Sequence, residues 1–193
     1  GFKQNGSIGV APSEARWEEM RRGADMARNL GLECISLTPE EVKAKNPLIY
    51  TDDLIGGLFL PSDGQTNPID TTRAMAAAAR QNGAIIHEGV TVTSILQNDG
   101  IITGVQTDQG IINAKKVVLC GGMWSRELAA SVGVTVPLHA AEHFYVVTEP
   151  MQGLPTSFPV LRDPDNSIYI KEDAGKLLIG CFEPVAKPWG QNG

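Results

Sequence analysis

The pattern that most favours a ligand contact is a short apolar run followed by two glycines. Val117–Cys120 form that run, which is typical of a strand covered on both faces. Gly121 and Gly122 leave room for the backbone to turn or to approach another group closely. Trp124 follows, and Ser125 is expected to cap a helix. This order suits a nucleotide-contact point in an open α/β sheet, although an ordinary strand-to-helix turn has the same pattern.

A histidine and a tyrosine further along lie on predicted strands. His143 lies in the segment HFYVVTEP and Tyr169 in IYIK, each within a predicted strand. A histidine titrates near neutral pH and a phenol can donate a hydrogen bond, but residues of both types also serve as packed or edge residues. Lys171 could steer a carboxylate substrate, or it could be an exposed lysine on a strand.

Composition narrows the function classes. The 193 residues, 42% of them hydrophobic, suffice for one domain or parts of two. A net charge of −6 without a basic cluster argues against nucleic acid and anionic membranes as partners. No apolar run approaches membrane-spanning length. The cysteines, Cys34, Cys120 and Cys181, are expected to be buried, reduced thiols without metal-ligand spacing. We therefore expect a cytoplasmic protein, with the mitochondrial matrix as the alternative.

Three helices have clear start and stop signals. The first is predicted from about Ser13 to Leu30, and Gly31 ends it. The second starts at Thr38, which forms a capping box with Glu41. The third spans about 68–81 and is rich in alanine. A fourth helix is predicted near residues 125–132. Strands are predicted at 84–87, 90–95, 101–107, 111–114, 117–120, 137–148, 167–171 and 176–181.

Five segments, in this order, resemble a known family. They are GGLFLPSDGQTNPIDTTRAMAAAARQNGA, EGVTVTSI, VVLCGGMWS, AAEHFYVVTEP and LRDPDNSIYIKEDAGKLLIGCFEP. They look like the middle of FAD-dependent amine oxidoreductases of the D-amino-acid-oxidase superfamily, in the dimethylglycine and sarcosine dehydrogenase branch. The resemblance implies FAD as the cofactor and covers essentially the whole chain.

The resemblance also shows which family features are missing. No GxGxxG for the FAD pyrophosphate occurs in the sequence, and the chain starts at Gly1 in mid-pattern. We expect an internal fragment that is inactive alone. The fold class implied is α/β (α+β) of the FAD-linked reductase type: a mainly antiparallel substrate-domain sheet with helices on one face, plus part of a Rossmann-like FAD-binding domain. The predicted division is substrate domain at 1–67 and 136–193 and flavin-domain remnant at 68–135.

The resemblance assigns roles to six positions. Val92 matches a strand position that meets the adenine end of FAD, and Gly121, Gly122 and Trp124 match the turn near the cofactor. His143 and Tyr169 match positions that line the substrate pocket. These two would help to keep the substrate amine neutral, and Lys171 or a residue outside the chain would bind its carboxylate.

The implied reaction is oxidation of dimethylglycine or sarcosine by hydride transfer from an N-methyl carbon to the flavin. A folate and an electron acceptor are the implied partners. Two alternatives stay open: a D-amino-acid dehydrogenase or glycine-oxidase-like enzyme, and a binding module without redox chemistry.

Overall fold

The computed structural model describes residues 1–190, which divide into two compact units. The first comprises Gly1–Met75 and His143–Ala186, and the second comprises Ala76–Glu142 and the residues from Lys187 on. The expected assignment of 1–67 and 136–193 to substrate and 68–135 to flavin stays a prediction.

Residues 1–190 form ten strands and four α-helices. The strands are β1 (Ser7–Ala11), β2 (Ile35–Leu37), β3 (Gly56–Leu60), β4 (Val92–Asn98), β5 (Ile101–Thr107), β6 (Gly110–Asn113), β7 (Tyr145–Val147), β8 (Val160–Asp163), β9 (Ile168–Asp173) and β10 (Lys176–Cys181). The helices are α1 (Glu14–Asn29), α2 (Pro39–Lys45), α3 (Pro68–Gln81) and α4 (Ser125–Ala130). The mixed α/β class predicted from the sequence is confirmed.

The first unit is built on a seven-stranded sheet with the order β2-β3-β1-β8-β9-β10-β7. Its pairs are antiparallel except for β1 and β8, which run parallel. The mainly antiparallel sheet was therefore predicted correctly. Strands β1, β2, β3 and β8 had not been predicted, because each is short and lacks a clear alternation of apolar and polar residues.

The predicted helices α1, α2 and α3 are confirmed, and α1 and α2 begin at the predicted caps. The Ser13 side chain accepts a hydrogen bond from the Arg16 N–H at the start of α1. Thr38 and Glu41 form the full capping box of α2. Gly31 follows α1 at a φ of 83°, which favours glycine. These signals are local in sequence, so they could be recognised without the fold.

Helices lie on both faces of the sheet, whereas one face had been expected. Ile8, Val10 and Leu161 pack with Val42 of α2 on one face. On the opposite face, Leu58 packs with Trp17 and other apolar residues of α1. Successive strand residues point to opposite faces, and β1 and β3 are buried on both sides. The sheet therefore needs a cover on each face, and the two helices provide it here.

The second unit contains a three-stranded antiparallel meander, β4-β5-β6. Asp99 and Gly100 both adopt positive φ in the tight turn between β4 and β5. The Ile95 N–H of β4 donates a hydrogen bond to Ser131 Oγ, just after α4. This bond holds the end of α4 against the meander.

Three predicted strands are wrong in whole or in part. Residues 84–87 and 117–120 form no strand, and 137–148 shortens to Tyr145–Val147. Val118 is 84% exposed and Cys120 is also exposed, whereas Val117 and Leu119 are half-buried, so the run is not covered on both faces. A strand requires neighbours for its backbone hydrogen bonds, and an apolar run alone does not supply them.

Two smaller expectations are also corrected. Ser125 is the first residue of α4 rather than its cap, because a 3₁₀ turn at Gly122–Trp124 leads directly into the helix. Cys34 is buried as expected, but Cys120 and Cys181 are exposed. Within residues 1–190, none of the helices has the length and apolar character required of a membrane span.

Candidate functional site

Three aromatic rings gather at one end of the seven-stranded sheet. The ring centroids of His143 and Tyr169 are 6.4 Å apart, with an interplanar angle of 24°. Phe182 lies against both rings, 5.0 Å from His143 and 5.2 Å from Tyr169. These three residues are called the aromatic cluster below. The structure therefore brings together the two side chains for which the sequence predicted a shared role.

The sheet register explains the position of Tyr169. Tyr169 on β9 is directly opposite Gly180 on β10. A Cβ at Gly180 would collide with the Tyr169 phenol, so the ring lies across the glycine. His143 lies shortly before β7, the neighbour of β10 on its other side. Because Gly180 on β10 has no side chain, Tyr169 from β9 and His143 from the segment before β7 can approach each other over it.

A carboxylate fixes the orientation of the histidine. His143 Nδ1 is 3.1 Å from Glu183 Oε2. The pKa of Glu183 is lowered by a hydrogen bond from its own backbone N–H, and also by the bond to His143. An ionised carboxylate only accepts hydrogen bonds, so Nδ1 must be the donor. In the neutral ring, Nε2 is then the unprotonated nitrogen, and it can accept a proton.

Two cations occupy the same sheet face as Tyr169. Arg162 on β8 is the direct cross-strand partner of Tyr169, and its Cζ is 5.9 Å from the Phe182 ring centroid. Lys171 is two residues beyond Tyr169 on β9 and therefore points to the same face. Lys171 lines a cavity of about 390 Å³, and Tyr145 and Gln65 are also part of its lining. The residues of the aromatic cluster do not line this cavity.

The predicted cofactor positions lie in the second unit. Gly122 lines a mainly apolar cavity of about 600 Å³, together with Ile95 of β4 and Cys120. Trp124 is 56% exposed and does not line that cavity. Gly121 lies beside Ser125, and Val92 begins β4 as a half-buried residue. Of the four predicted positions, only Gly122 lines the cavity.

The environment of Gly122 suits a flat cofactor. Gly122 adopts a φ of 55°, and a Cβ there would have no atom within 4 Å. Another group could therefore come close to the backbone at this turn. The apolar lining fits the ring portion of a flavin nucleotide. The residues present thus fit part of FAD, whereas its pyrophosphate would require a cradle that this sequence does not contain. In the described part of the chain, His, Cys, Asp and Glu form no group of three that could hold a metal ion.

Sequence reasoning missed three residues of the site: Phe182, Glu183 and Arg162. Each lies in the segment LRDPDNSIYIKEDAGKLLIGCFEP, on which the resemblance rested. Arg162 could have been found only by knowing that β8 pairs with β9 in the register that places it opposite Tyr169. Phe182 and Glu183 follow the end of β10, where alternation no longer assigns a face.

The chain is similar to several curated proteins over nearly all its length. It is 41% identical to 4-methylaminobutanoate oxidase (formaldehyde-forming) of Paenarthrobacter nicotinovorans, over 97% of this chain and 23% of that protein. The mitochondrial pyruvate dehydrogenase phosphatase regulatory subunit of Mus musculus is 35% identical over 97% of the chain and 22% of its own length. Mitochondrial sarcosine dehydrogenase of Homo sapiens is 36% identical over 95% of the chain and 20% of its own length. The chain thus spans about a quarter or less of these relatives.

Solved structures share the fold. L-proline dehydrogenase from P. horikoshii superimposes with a TM-score of 0.89 and 26% identity, over 97% of this chain and 50% of that one. Glycine oxidase from Bacillus cereus superimposes with a TM-score of 0.73 and 26% identity, over 100% of this chain and 51% of that one. Residues 1–192 match the family described as FAD dependent oxidoreductase (DAO). The chain belongs to this family of FAD-dependent oxidoreductases.

Proposed function

We propose that this chain supplies the substrate face of an enzyme that oxidises a secondary or tertiary N-methyl amino acid, such as sarcosine or dimethylglycine. The observation that carries the proposal is the His143–Tyr169 pair, with ring centroids 6.4 Å apart and His143 oriented by Glu183. Two relatives, 4-methylaminobutanoate oxidase and sarcosine dehydrogenase, are named for substrates of this class.

The proposed role of His143 is to receive a proton from the substrate. The nitrogen lone pair must be free before the neighbouring C–H bond can be broken, so the amine has to react in its neutral form. Because Glu183 binds Nδ1, Nε2 of His143 remains to accept the ammonium proton, directly or through a water. The Tyr169 hydroxyl, on the same face, would orient the amine by a hydrogen bond.

FAD, when bound, supplies the acceptor for the hydride that leaves the N-methyl carbon. Val92, Gly121, Gly122 and Trp124 are the proposed contact positions for that cofactor. The substrate leaves this step as an iminium ion. Hydrolysis would give formaldehyde and the demethylated amine, and transfer of the one-carbon unit to a folate is the alternative. A separate electron acceptor would reoxidise the flavin. The proposed location of the enzyme is the cytoplasm, with the mitochondrial matrix as the alternative. The sequence suggests Lys171 or a residue outside the chain for the substrate carboxylate, and Arg162 is a second candidate cation on the same sheet face.

The test is dye reduction by the full-length protein with sarcosine or dimethylglycine, alongside its flavin absorbance. His143→Ala and Tyr169→Phe should each lower turnover by about 10²-fold or more while flavin content is kept. Matched controls are His139→Ala and Tyr50→Phe, since both residues are exposed and lie outside the aromatic cluster. Full activity in both site variants would reject the proposed pair.

A binding role without redox chemistry is the second candidate. It is favoured by the 35% identity to a protein named as a regulatory subunit. A full-length protein with flavin that responds to a D-amino acid or glycine, and not to N-methyl amino acids, would instead favour the oxidase alternative. If the full-length protein shows neither flavin absorbance nor turnover, the binding role is the one candidate that remains.

A further inference from the structure

The sheet face that carries the aromatic cluster offers two cations to an anionic group. Arg162 and Lys171 both point to this face: Arg162 lies across from Tyr169 on β8, and Lys171 lies two residues further along β9. An N-methyl amino acid has a carboxylate that must be held while its amine faces the proton acceptor. The position of the cation therefore determines how the substrate is oriented.

Arg162 lies next to the aromatic cluster. It is the cross-strand partner of Tyr169, so their Cβ atoms are about 5 Å apart on the same face. Its guanidinium lies 5.9 Å from the Phe182 ring, which in turn contacts His143 at 5.0 Å. Phe182 thus connects the cation with the proposed proton acceptor.

The guanidinium of Arg162 is available to a ligand. It is exposed, and in the described part of the chain it forms no ion pair within 4.0 Å. Two nearby carboxylates are already engaged: Asp165 pairs with Arg16, and Glu183 binds His143. Asp63 lines a cavity of about 400 Å³ with Arg162, but its Oδ1 accepts the Gly64 N–H.

Lys171 is in a less favourable position for this role. The cavity that it lines also contains Lys3, Glu172 and Asp173, and Lys3 pairs with Glu172 at 3.3 Å, so the carboxylate of Asp173 is the one left to oppose an anion. None of the aromatic-cluster residues lines that cavity. An ammonium also lacks the planar fork with which a guanidinium binds both carboxylate oxygens.

We propose that Arg162, rather than Lys171, binds the carboxylate of the substrate. This inference rests on the proposed function and deepens it. The carboxylate would lie over β8 and the amine over the His143–Tyr169 pair, so the substrate would span the distance from Arg162 to the aromatic cluster. Phe182 would support the Arg162 guanidinium through its ring face.

The experiment compares Arg162→Ala, Arg162→Lys and Lys171→Ala in the full-length protein, with sarcosine and with its neutral amide. Loss of a charge-assisted interaction should raise KM for sarcosine by about 10- to 100-fold in Arg162→Ala. KM for the amide should change little, and Arg162→Lys should recover part of the loss. Lys171→Ala should raise KM for sarcosine less than Arg162→Ala does. Unchanged flavin content and thermal unfolding would show that the variants fold.

Two results would overturn the inference. One is a KM increase for sarcosine in Lys171→Ala but not in Arg162→Ala. The other is an equal KM increase for the acid and the amide in Arg162→Ala, which would indicate a packing role.

A binding measurement separates this inference from the proposed function. Acetate and acetamide are titrated while their methyl signals are followed by saturation-transfer NMR, which needs no turnover. If the protein does not oxidise N-methyl amino acids, acetate binding that disappears in Arg162→Ala but persists in Lys171→Ala would still support Arg162. No acetate binding to the unmodified protein, or binding unchanged in Arg162→Ala, would refute the inference.

Discussion

The phenol of Tyr169 lies directly over Gly180, the residue opposite it on the next strand. A Cβ at Gly180 would overlap the ring carbons and the hydroxyl of Tyr169. The glycine therefore defines where the phenol rests, although it has no side chain to contact a substrate. Its effect reaches His143 through the aromatic cluster, since both Tyr169 and Phe182 pack beside the imidazole.

Gly180→Ala is expected to impair catalysis more than folding. Gly180 has no positive φ, so alanine fits the backbone, and the group displaced is the outer part of a Tyr side chain. The ring must leave its position over Gly180, which changes its distance from His143 and should lower kcat by about tenfold or more if the pair acts together. Turnover and thermal unfolding of the full-length protein would be measured side by side.

The matched control is Gly23→Ala, which lies in the middle of α1. A Cβ there has no atom within 4 Å, so alanine should stabilise the protein by about 0.5–1 kcal/mol without changing turnover. A Gly180→Ala variant with full activity would contradict the proposed position of Tyr169 in the site.

The core between α2 and the sheet should respond steeply to lost volume. Ile8 is 1% exposed and Val42 is 0% exposed, and both belong to one cluster. Ile8→Val should destabilise by about 0.5–1.5 kcal/mol and Ile8→Ala by about 2–5 kcal/mol. Denaturant unfolding gives both values. Equal effects of the two substitutions would show that the cluster is not packed tightly around Ile8.

Local signals explain which elements could be predicted. The Ser13 cap, the Thr38–Glu41 box and the Asp99-Gly100 turn depend on residues close in sequence, and all three occur in the structure. Strand β10 was predicted with its observed bounds, because Lys176–Cys181 lies between clear turns. The strand predicted at residues 117–120 does not form, because strand pairing depends on partners that are distant in sequence.

The candidate site was predictable only in part for the same reason. His143 and Tyr169 were recognised through the family resemblance, and the structure brings them together. Arg162 was missed because its relation to Tyr169 depends on the register of β8 with β9. The contact of Phe182 with both rings likewise depends on how the chain leaves β10, which alternation does not define.

Glu183 should make stability depend on pH in the acid range. Its folded-state pKa is lowered from 4.5 by the bond from its own backbone N–H and by the His143 bond. A lowered pKa stabilises the fold when the carboxyl is ionised, above 4.5. This contribution to stability is lost as the pH falls through the folded-state pKa of Glu183. Glu183→Gln has no such titration, so its stability should fall less between neutral pH and pH values below 4.5.

The measurement is denaturant unfolding across that pH range for the unmodified protein and for Glu183→Gln. Glu127→Gln is the control, since Glu127 is exposed and makes no ion pair within the described residues. The control should follow the unmodified protein. Parallel pH profiles for Glu183→Gln and the unmodified protein would show that Glu183 is not stabilised in its ionised form, and the inferred Nδ1–H donor of His143 would lose its support. A smaller acid loss confined to Glu183→Gln would instead show that the folded protein stabilises Glu183 in its ionised form, which is the form that accepts a hydrogen bond from His143 Nδ1–H.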